Sequence, residues 1–442
     1  MTRRRPYFLA YLALHAFAVV GLVSPWWGDS ETYMHLSLTG GDLRLPTVPL
    51  VYKLLPTDSL RVAGQTLLAA FAWWVLAMSV GRLVADRRVR AGIVGVLLAL
   101  GLCVPVMNFN TVILSESIAM SLTVLVVATW VRYAADPRWR TAAAVVAATL
   151  FWTFTRQPHV LFGTMVTAAA IVAALVMRRN RRVASTLAVA LTLITVAGFL
   201  ELRHNPTLSE NTLMYMIKGR IVSHASRDRW FTQHGMPAPR FDPRKPDEAV
   251  PLNPVFRRWV HTDGEKTYVE FVLTHPDYLF LGTLPWIPGA SLPPNSTTSS
   301  ILSPNAIYGF YRPVVPTPVD WFLWDAGQIG VLLLLAGAGA ALVVAVRKRS
   351  GWDTRLTVPA FVALSSIPQA YIVWLSGGEA THEIDRLSMV TGVSVRVGLW
   401  CFVAFALDRW LSLRTAEPSA GSLRIVRVSE TRRIPVPRAR RR

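Results

Sequence analysis

Ser24-Pro-Trp-Trp-Gly-Asp-Ser-Glu-Thr-Tyr33 follows directly on the first apolar run of the chain, residues 7–24. Trp26 and Trp27 stand immediately before the carboxylates Asp29 and Glu31. Amphipathic indole rings belong at a membrane–water boundary. An apolar run, then tryptophans, then acids therefore describes a chain leaving a bilayer. Asp29 is expected near the headgroups, where an acid can serve a reaction on a lipid-borne substrate. The stretch also reads as a solvated loop whose aspartate caps a following helix, and taken alone it leaves both readings open.

The chain outside this stretch decides for the membrane. Of its 442 residues 52% are hydrophobic and 16% charged, against roughly 25% charged in an average soluble chain. Apolar runs near the ~20 residues that cross a bilayer core fall at 7–24, 62–84, 91–107, 112–131, 141–155, 159–177, 183–200, 322–346, 356–375 and 388–407. Strand-type alternation is missing, which argues against a barrel. The expected fold is an all-α membrane protein with about ten transmembrane helices and a long, irregular, partly helical outer loop.

A net charge of +20 suggests nucleic acid at first sight. The arginines, however, stand in short clusters between apolar runs, at Arg3–Arg5, 86–90, 132–140, 178–182 and 347–349. That pattern orients membrane helices. It puts both termini in the cytoplasm, with the chain in the plasma membrane and no nucleic-acid partner. Arg3-Arg4-Arg5 could open a signal peptide, but no small-x-small site follows, so 7–24 is read as an uncleaved span. Cys103 and Cys401 fall inside expected spans and read as small apolar fillers.

The organisation follows. Residues 1–200 form N-terminal membrane helices with outer loops. Residues 201–321 form an extracytoplasmic region, 322–407 the C-terminal membrane helices, and 408–442 a basic cytoplasmic tail read as disordered. The outer region should hold helices near 211–224 and 265–275 around a proline-rich middle. Trp230, Phe231, Trp259, Trp286 and Trp321 are expected to anchor it to the interface. No P-loop, GxGxxG, HExxH or CxxC occurs, which argues against an ATPase, a nucleotide-cofactor enzyme and a zinc peptidase.

The chemistry-bearing residues all fall on the outer face: Asp29 and Glu31, then Asn108, Asn110 and Glu116, then Arg156 and His159, and last Glu379, His382, Glu383, Asp385 and Arg386. Far apart in sequence, they share one depth, as active-site groups from different helix ends do. Glu116 in Leu114-Ser-Glu-Ser-Ile118 reads either as a carboxylate favoured by a helix N-terminus or as a cavity-facing group. Arg156 and His159 read as a headgroup-snorkelling turn or as a phosphate clamp. In His382-Glu-Ile-Asp-Arg386, a helix would put His382 and Arg386 on one face, with Glu383 beside Arg386, as a surface ion pair or as part of a site. Arg396, inside the last span, needs an acid, a carbonyl or a bound anion. Gln65, Trp73 and Trp74 read as packing and interhelical hydrogen bonding.

Gly28-Asp-Ser-Glu-Thr-Tyr33 after a first span resembles the first outer loop of GT-C-type membrane glycosyltransferases. These include protein O-mannosyltransferases, lipid A aminoarabinose transferases and arabinofuranosyltransferases. Leu114-Ser-Glu-Ser-Ile118 looks like the second acidic motif of that superfamily. Glu379 to Arg386, Trp230-Phe-Thr-Gln-His-Gly-Met-Pro237 and Thr274-His-Pro276 resemble uncharacterised actinobacterial members. The resemblance covers most of 1–410 as a layout and implies a GT-C-like fold. It implies a polyprenyl-phosphate sugar as donor and an acid of the first outer loop, at Asp29, as catalytic base. This chain has Asp-Ser-Glu where many members carry adjacent acids, so the base stays open among Asp29, Glu31 and Glu116. Inverting transfer needs a base for the acceptor hydroxyl and cations, or a divalent metal, at the departing phosphate. Arg156, His159 and Arg386 are candidates for the phosphate, with His382, Glu383 and Arg396 in support. The acceptor would be a cell-envelope glycan, lipid or protein, and the lipid bilayer a further partner. Two other readings stand beside this one: a transporter or flippase of a lipid-linked saccharide, and a non-catalytic membrane scaffold.

Overall fold

The structure, a computed structural model, describes residues 5–23, 29–36, 44–176, 180–239, 241, 251–280, 312–325, 354–376 and 381–415. Side chains of 381–387 lie outside the described residues. Among the described residues nine helices lead from the N-terminus: α1 (Arg5–Val19), α2 (Thr47–Leu54), α3 (Asp58–Leu83), α4 (Arg87–Leu100), α5 (Val104–Thr111), α6 (Ser115–Ala135), α7 (Trp139–Thr153), α8 (Gln157–Val176) and α9 (Arg181–His204). The region expected outside the membrane contributes α10 (Pro206–Met216), α11 (Ala225–Gln233), α12 (Pro254–Trp259), α13 (Glu265–Thr274) and α14 (Pro276–Phe280). Two long helices close the described fold, α15 (Thr357–Ser376) and α16 (Thr381–Thr415). Among the described residues there is no strand, only an isolated bridge between Phe241 and Pro251.

The chain is a multi-pass membrane protein. Seven helical segments among the described residues are long and apolar enough to cross a bilayer. Expected spans 7–24 and 141–155 form helices, but α1 and α7 have 15 residues each. The span expected at 322–346 lies mostly outside the described residues. Helix starts follow local chemistry: the Thr57 hydroxyl accepts from the Leu60 amide, and Asp86 from the amides of Arg88 and Val89, each satisfying donors that a helix N-terminus leaves open.

The apolar run 91–107 breaks into α4 and α5 at Gly101. A Cβ there would collide with the Tyr11 hydroxyl and the Trp73 ring, so only glycine lets the backbone approach so closely. Pro105 suits the first turn of α5, where no amide hydrogen is needed. The Val104 amide donates to Asp320 Oδ1 at 2.8 Å. The break folds the chain inward. Asn108, Asn110 and Thr111 are buried, as is the Val112-Ile113-Leu114 turn.

Helix α6 lies at the centre, packed on α3, α5, α7, α15 and α16. It opens with Ser115-Glu116, so the second acidic motif stands where most of the bundle meets. The outer region is more than an irregular loop. Leu213, Ile217, Ile221, Phe231, Phe256, Trp259, Phe271 and Tyr278 form a second apolar core on Ala370, Val373 and Trp374 of α15. Phe231 and Trp259 are therefore buried rather than interfacial anchors: the helices of this region bring aromatic faces together, and burying them there removes more apolar surface than lying on headgroups. Trp230 packs on His234 and Phe271, whereas Trp321 is exposed. Helix α16 runs on to Thr415. Asp408, expected in a solvated tail, is fully buried.

Candidate active site at the outer end

Residues 29–33 fold into a short turn because the Thr32 hydroxyl and amide both bond to the Asp29 carbonyl. The turn leaves Asp29 half-buried, exposes Glu31 and drives Tyr33 inward. Arg44, just ahead of α2, grips it. Its Nη2 lies 2.8 Å from Asp29 Oδ1, its Nε donates to Thr32 Oγ1 at 2.8 Å, and its guanidinium covers the Tyr33 ring at 4.6 Å. This is a planar fork used on a carboxylate, a hydroxyl and an aromatic face together.

The Tyr33 hydroxyl donates to Ser115 Oγ at 3.0 Å. Ser115 Oγ stands 3.5 Å from Glu116 Oε2, and Glu116 Oε1 stands 3.7 Å from Arg156 Nη2. That last separation is an ion pair, too long for a hydrogen bond. A polar string thus runs from the first outer loop through the start of α6 to the start of α8. It links Asp29, Glu116 and Arg156, and in it Glu116 and Arg156 face each other.

Tyr52 of α2 supports the string from below. Its single hydroxyl proton is shared between Gln65 Oε1 (2.8 Å) and the Leu114 carbonyl (2.7 Å). Burial, with Tyr33 and Glu116 nearby, pushes this hydroxyl well above the ordinary tyrosine range, so it stays a donor. Gln65 Nε2 donates to the carbonyls of Asn110 and Val112, and Asn110 Oδ1 accepts from Ser117. Gln65 therefore ties helices together, as its sequence setting suggested. The peptide groups left open by the 112–114 turn are satisfied by these side chains, which fix where α6 begins.

His159 sits deeper than a headgroup clamp would. It is stacked on Trp152 with ring centroids 4.5 Å apart, and its Nδ1–H donates to the Trp152 carbonyl at 2.9 Å. Only Nε2 remains for another partner. With Arg156, Pro158, Phe162, Val373, Val390 and Thr391, it lines a small hollow between α8, α15 and α16. The hollow has a cation at one side and apolar walls.

The last motif stands at the start of α16, which begins at Thr381. His382 and Arg386 are one turn apart along it, as a helical reading required. The side chains of His382, Glu383, Asp385 and Arg386, and all of Glu379, lie outside the described residues. Arg386 precedes Thr391 by about 7 Å of helix rise, on the outer side of the hollow. Arg396 is buried, and its partners are carbonyls. Nη2 donates to Trp324 O at 2.6 Å and Nη1 to Gly392 O at 3.1 Å, over the Trp324 ring at 4.0 Å. Among the described residues no three His, Cys, Asp or Glu side chains converge. Arg44 occupies the flank of Asp29.

Tyr33, Arg44 and Tyr52 were not singled out by the sequence. A signal existed for Arg44: it is the first Lys or Arg after Arg5, and it stands alone rather than in one of the arginine clusters.

No protein-family model matches the chain, and no curated protein matches it. Among solved structures, it is similar to the archaeal oligosaccharyltransferase AglB from Archaeoglobus fulgidus, determined in complex with an inhibitory peptide and a dolichol-phosphate. The identity is 10% and the TM-score 0.43, over 95% of this chain and 52% of that one. The chain thus spans about half the length of the archaeal protein.

Proposed function

We propose that the chain is a GT-C-type membrane glycosyltransferase, moving a sugar from a polyprenyl-phosphate-linked donor to an extracytoplasmic cell-envelope acceptor. The acceptor class is a glycan, lipid or protein. The observation that carries this reading is the polar string at the outer end. It joins a partly exposed carboxylate, Asp29, to a buried Glu116–Arg156 pair bordering an apolar-walled hollow. A cation, Arg156, beside the apolar side chains of Pro158, Phe162, Val373 and Val390 suits the head end of a phosphate-bearing lipid.

In this reading Asp29 takes the proton of the acceptor hydroxyl. The acceptor oxygen attacks the anomeric carbon, and the bond from that carbon to the lipid phosphate oxygen breaks. The phosphate leaves with the electron pair. Arg156 and Arg386 meet the charge that develops on it. His159, whose Nδ1–H is committed to the Trp152 carbonyl, presents Nε2 as an acceptor and lines the hollow rather than donating to the phosphate. Glu116, buried against Arg156, orients that guanidinium. Glu31, exposed two residues on from Asp29, helps orient the acceptor. His382 and Glu383 support Arg386, and Arg396 anchors α16 to the Trp324 carbonyl.

The test is lipid-linked glycan profiling of a deletion strain beside an Asp29→Asn strain. Both should accumulate the donor and lose the transferred sugar. A normal profile in Asp29→Asn removes Asp29 as base. A transporter is the second reading, favoured by the broken α4–α5 passage, since interrupted helices mark transporter sites. It requires the deletion, but not Asp29→Asn, to block the pathway. Orientation belongs to the same proposal, with plasma-membrane placement and both termini cytoplasmic. A periplasm-only reporter should be silent after Arg442 and active within 251–259. The reverse would put the acids in the cytoplasm and end the proposal.

A further inference from the structure

We infer that the hollow beside Arg156 is a subsite for one hydroxyl group of the transferred sugar, with His159 and Thr391 as its partners. The inference rests on the glycosyltransferase reading and adds what that reading leaves open, the class of sugar. His159 and Thr391 are 1% and 2% exposed, and both line the hollow. His159 commits its Nδ1–H to the Trp152 carbonyl, so Nε2 of the neutral ring keeps a lone pair to offer. Among the described residues neither Nε2 nor the Thr391 hydroxyl makes a hydrogen bond. Buried polar atoms normally find a partner. Here two side chains from different helices, α8 and α16, carry an open polar atom and border one space.

Size and chemistry select what enters that space. The hollow has a volume of about 10 Å³, close to the room one water-sized group needs. It is too small for a phosphate, a carboxylate or an acetamido group. The lipid phosphate also has no proton to give Nε2, so it stays with Arg156 and Arg386 at the side of the hollow. A hydroxyl fits both partners at once: its proton goes to Nε2, and its oxygen accepts from Thr391. Pro158, Phe162, Val373 and Val390 close the rest with apolar side chains, which would leave a second polar substituent without a partner. The sugar is bonded to the phosphate that Arg156 holds, so its hydroxyls arrive beside the hollow. The donor sugar therefore carries a free hydroxyl on the carbon that faces it. A site built to pair a hydroxyl rejects the deoxy analogue, because its own polar atoms are then left unpaired.

The test asks whether ligand hydroxyl and protein partner are coupled. The full-length protein in phosphatidylcholine nanodiscs is titrated, with native mass spectrometry as readout, with undecaprenyl phosphate and with its mannosyl, glucosyl and arabinofuranosyl esters. The tightest glycoside is then compared with its monodeoxy analogues in the wild type, Thr391→Val and His159→Phe. One glycoside should bind at least about threefold tighter than the bare lipid, and one deoxy analogue should lose about three- to tenfold in affinity, the worth of one neutral hydrogen bond. In both variants the same deoxy change should cost less than about twofold, because its partner is already gone. Thr391→Val is nearly isosteric, so it decides the matter if His159→Phe does not fold. A deoxy loss as large in a folded variant as in the wild type refutes the subsite. So does a wild type in which no glycoside binds tighter than undecaprenyl phosphate, or no deoxy analogue loses affinity: the hollow then holds water alone. In each of these cases the lipid phosphate still binds and the glycosyltransferase reading stands. Failure of undecaprenyl phosphate and all three glycosides to bind overturns both.

Discussion

Both ends of the helix bundle hold a buried carboxylate against an arginine, and the two are built differently. At one end, Asp408 is fully buried. Its Oδ1 accepts from the amides of Ala85 and Asp86, each at 2.8 Å, and its Oδ2 from Arg355 at 2.8 Å. Arg355 also bonds the Leu83 carbonyl. This staple joins the end of α3, the start of α15 and the last turns of α16. At the end that carries the candidate site, Glu116 meets Arg156 at 3.7 Å beside a hollow, and Asp29 meets Arg44 at partial exposure. Several short, charge-assisted bonds on one carboxylate hold a structure together. A longer pair beside a space, or a partly exposed one, is open to a substrate.

The largest expected effect breaks the outer end. Asp29→Asn should lower turnover by about 10²–10⁴-fold, the usual worth of a general base, and leave thermal stability nearly unchanged. Parallel Glu31→Gln and Glu116→Gln variants sharpen the assignment, because retained activity in Asp29→Asn with loss in either of them moves the base there. Next comes the inner staple. Asp408→Ala should cost roughly 3–5 kcal/mol of stability, since it strands Arg355 and two amides. Thermal unfolding in nanodiscs measures this, and donor affinity of the protein that remains folded should be unchanged. A destabilisation below about 1 kcal/mol would mean that the staple is no stronger than a surface pair.

A smaller effect is expected at the start of α16. Arg386→Ala should weaken binding of the lipid-phosphate donor by about 10–100-fold, matching the ~1.5–3 kcal/mol of a charge-assisted hydrogen bond, with Arg386→Lys between. Unchanged donor affinity would reduce Arg386 to a surface partner of Glu383. The smallest change is at Tyr33→Phe, which deletes one bond to Ser115, worth about 0.5–1.5 kcal/mol. Turnover should fall a few-fold with donor affinity intact. An equal loss of stability and activity would make the string structural rather than positional.

What could be read from the chain itself rests on solvent preference. Apolar runs of membrane length, arginines gathered between them and acids behind Trp26-Trp27 declare a helical membrane protein with its polar chemistry at one end. Partition between water and lipid acts on each segment separately, so composition alone reveals it. Gln65 as an interhelical tie and Cys103 and Cys401 as buried fillers follow from the same logic. Pairing was another matter. That Arg44 would hold Asp29, that Glu116 would face Arg156, and that His159 would turn its Nδ1 to the Trp152 carbonyl depends on which helix ends meet. So does the burial of Asn110 behind the break at Gly101, and of Phe231 and Trp259 in a core of their own. Some of those contacts close short loops, as Asp29 to Arg44 does, and others join distant stretches, as Tyr33 to Ser115 and Ala85 to Asp408 do. Each exists only because packing around α6 brings its partners within a few ångströms, and no local pattern carries that distance.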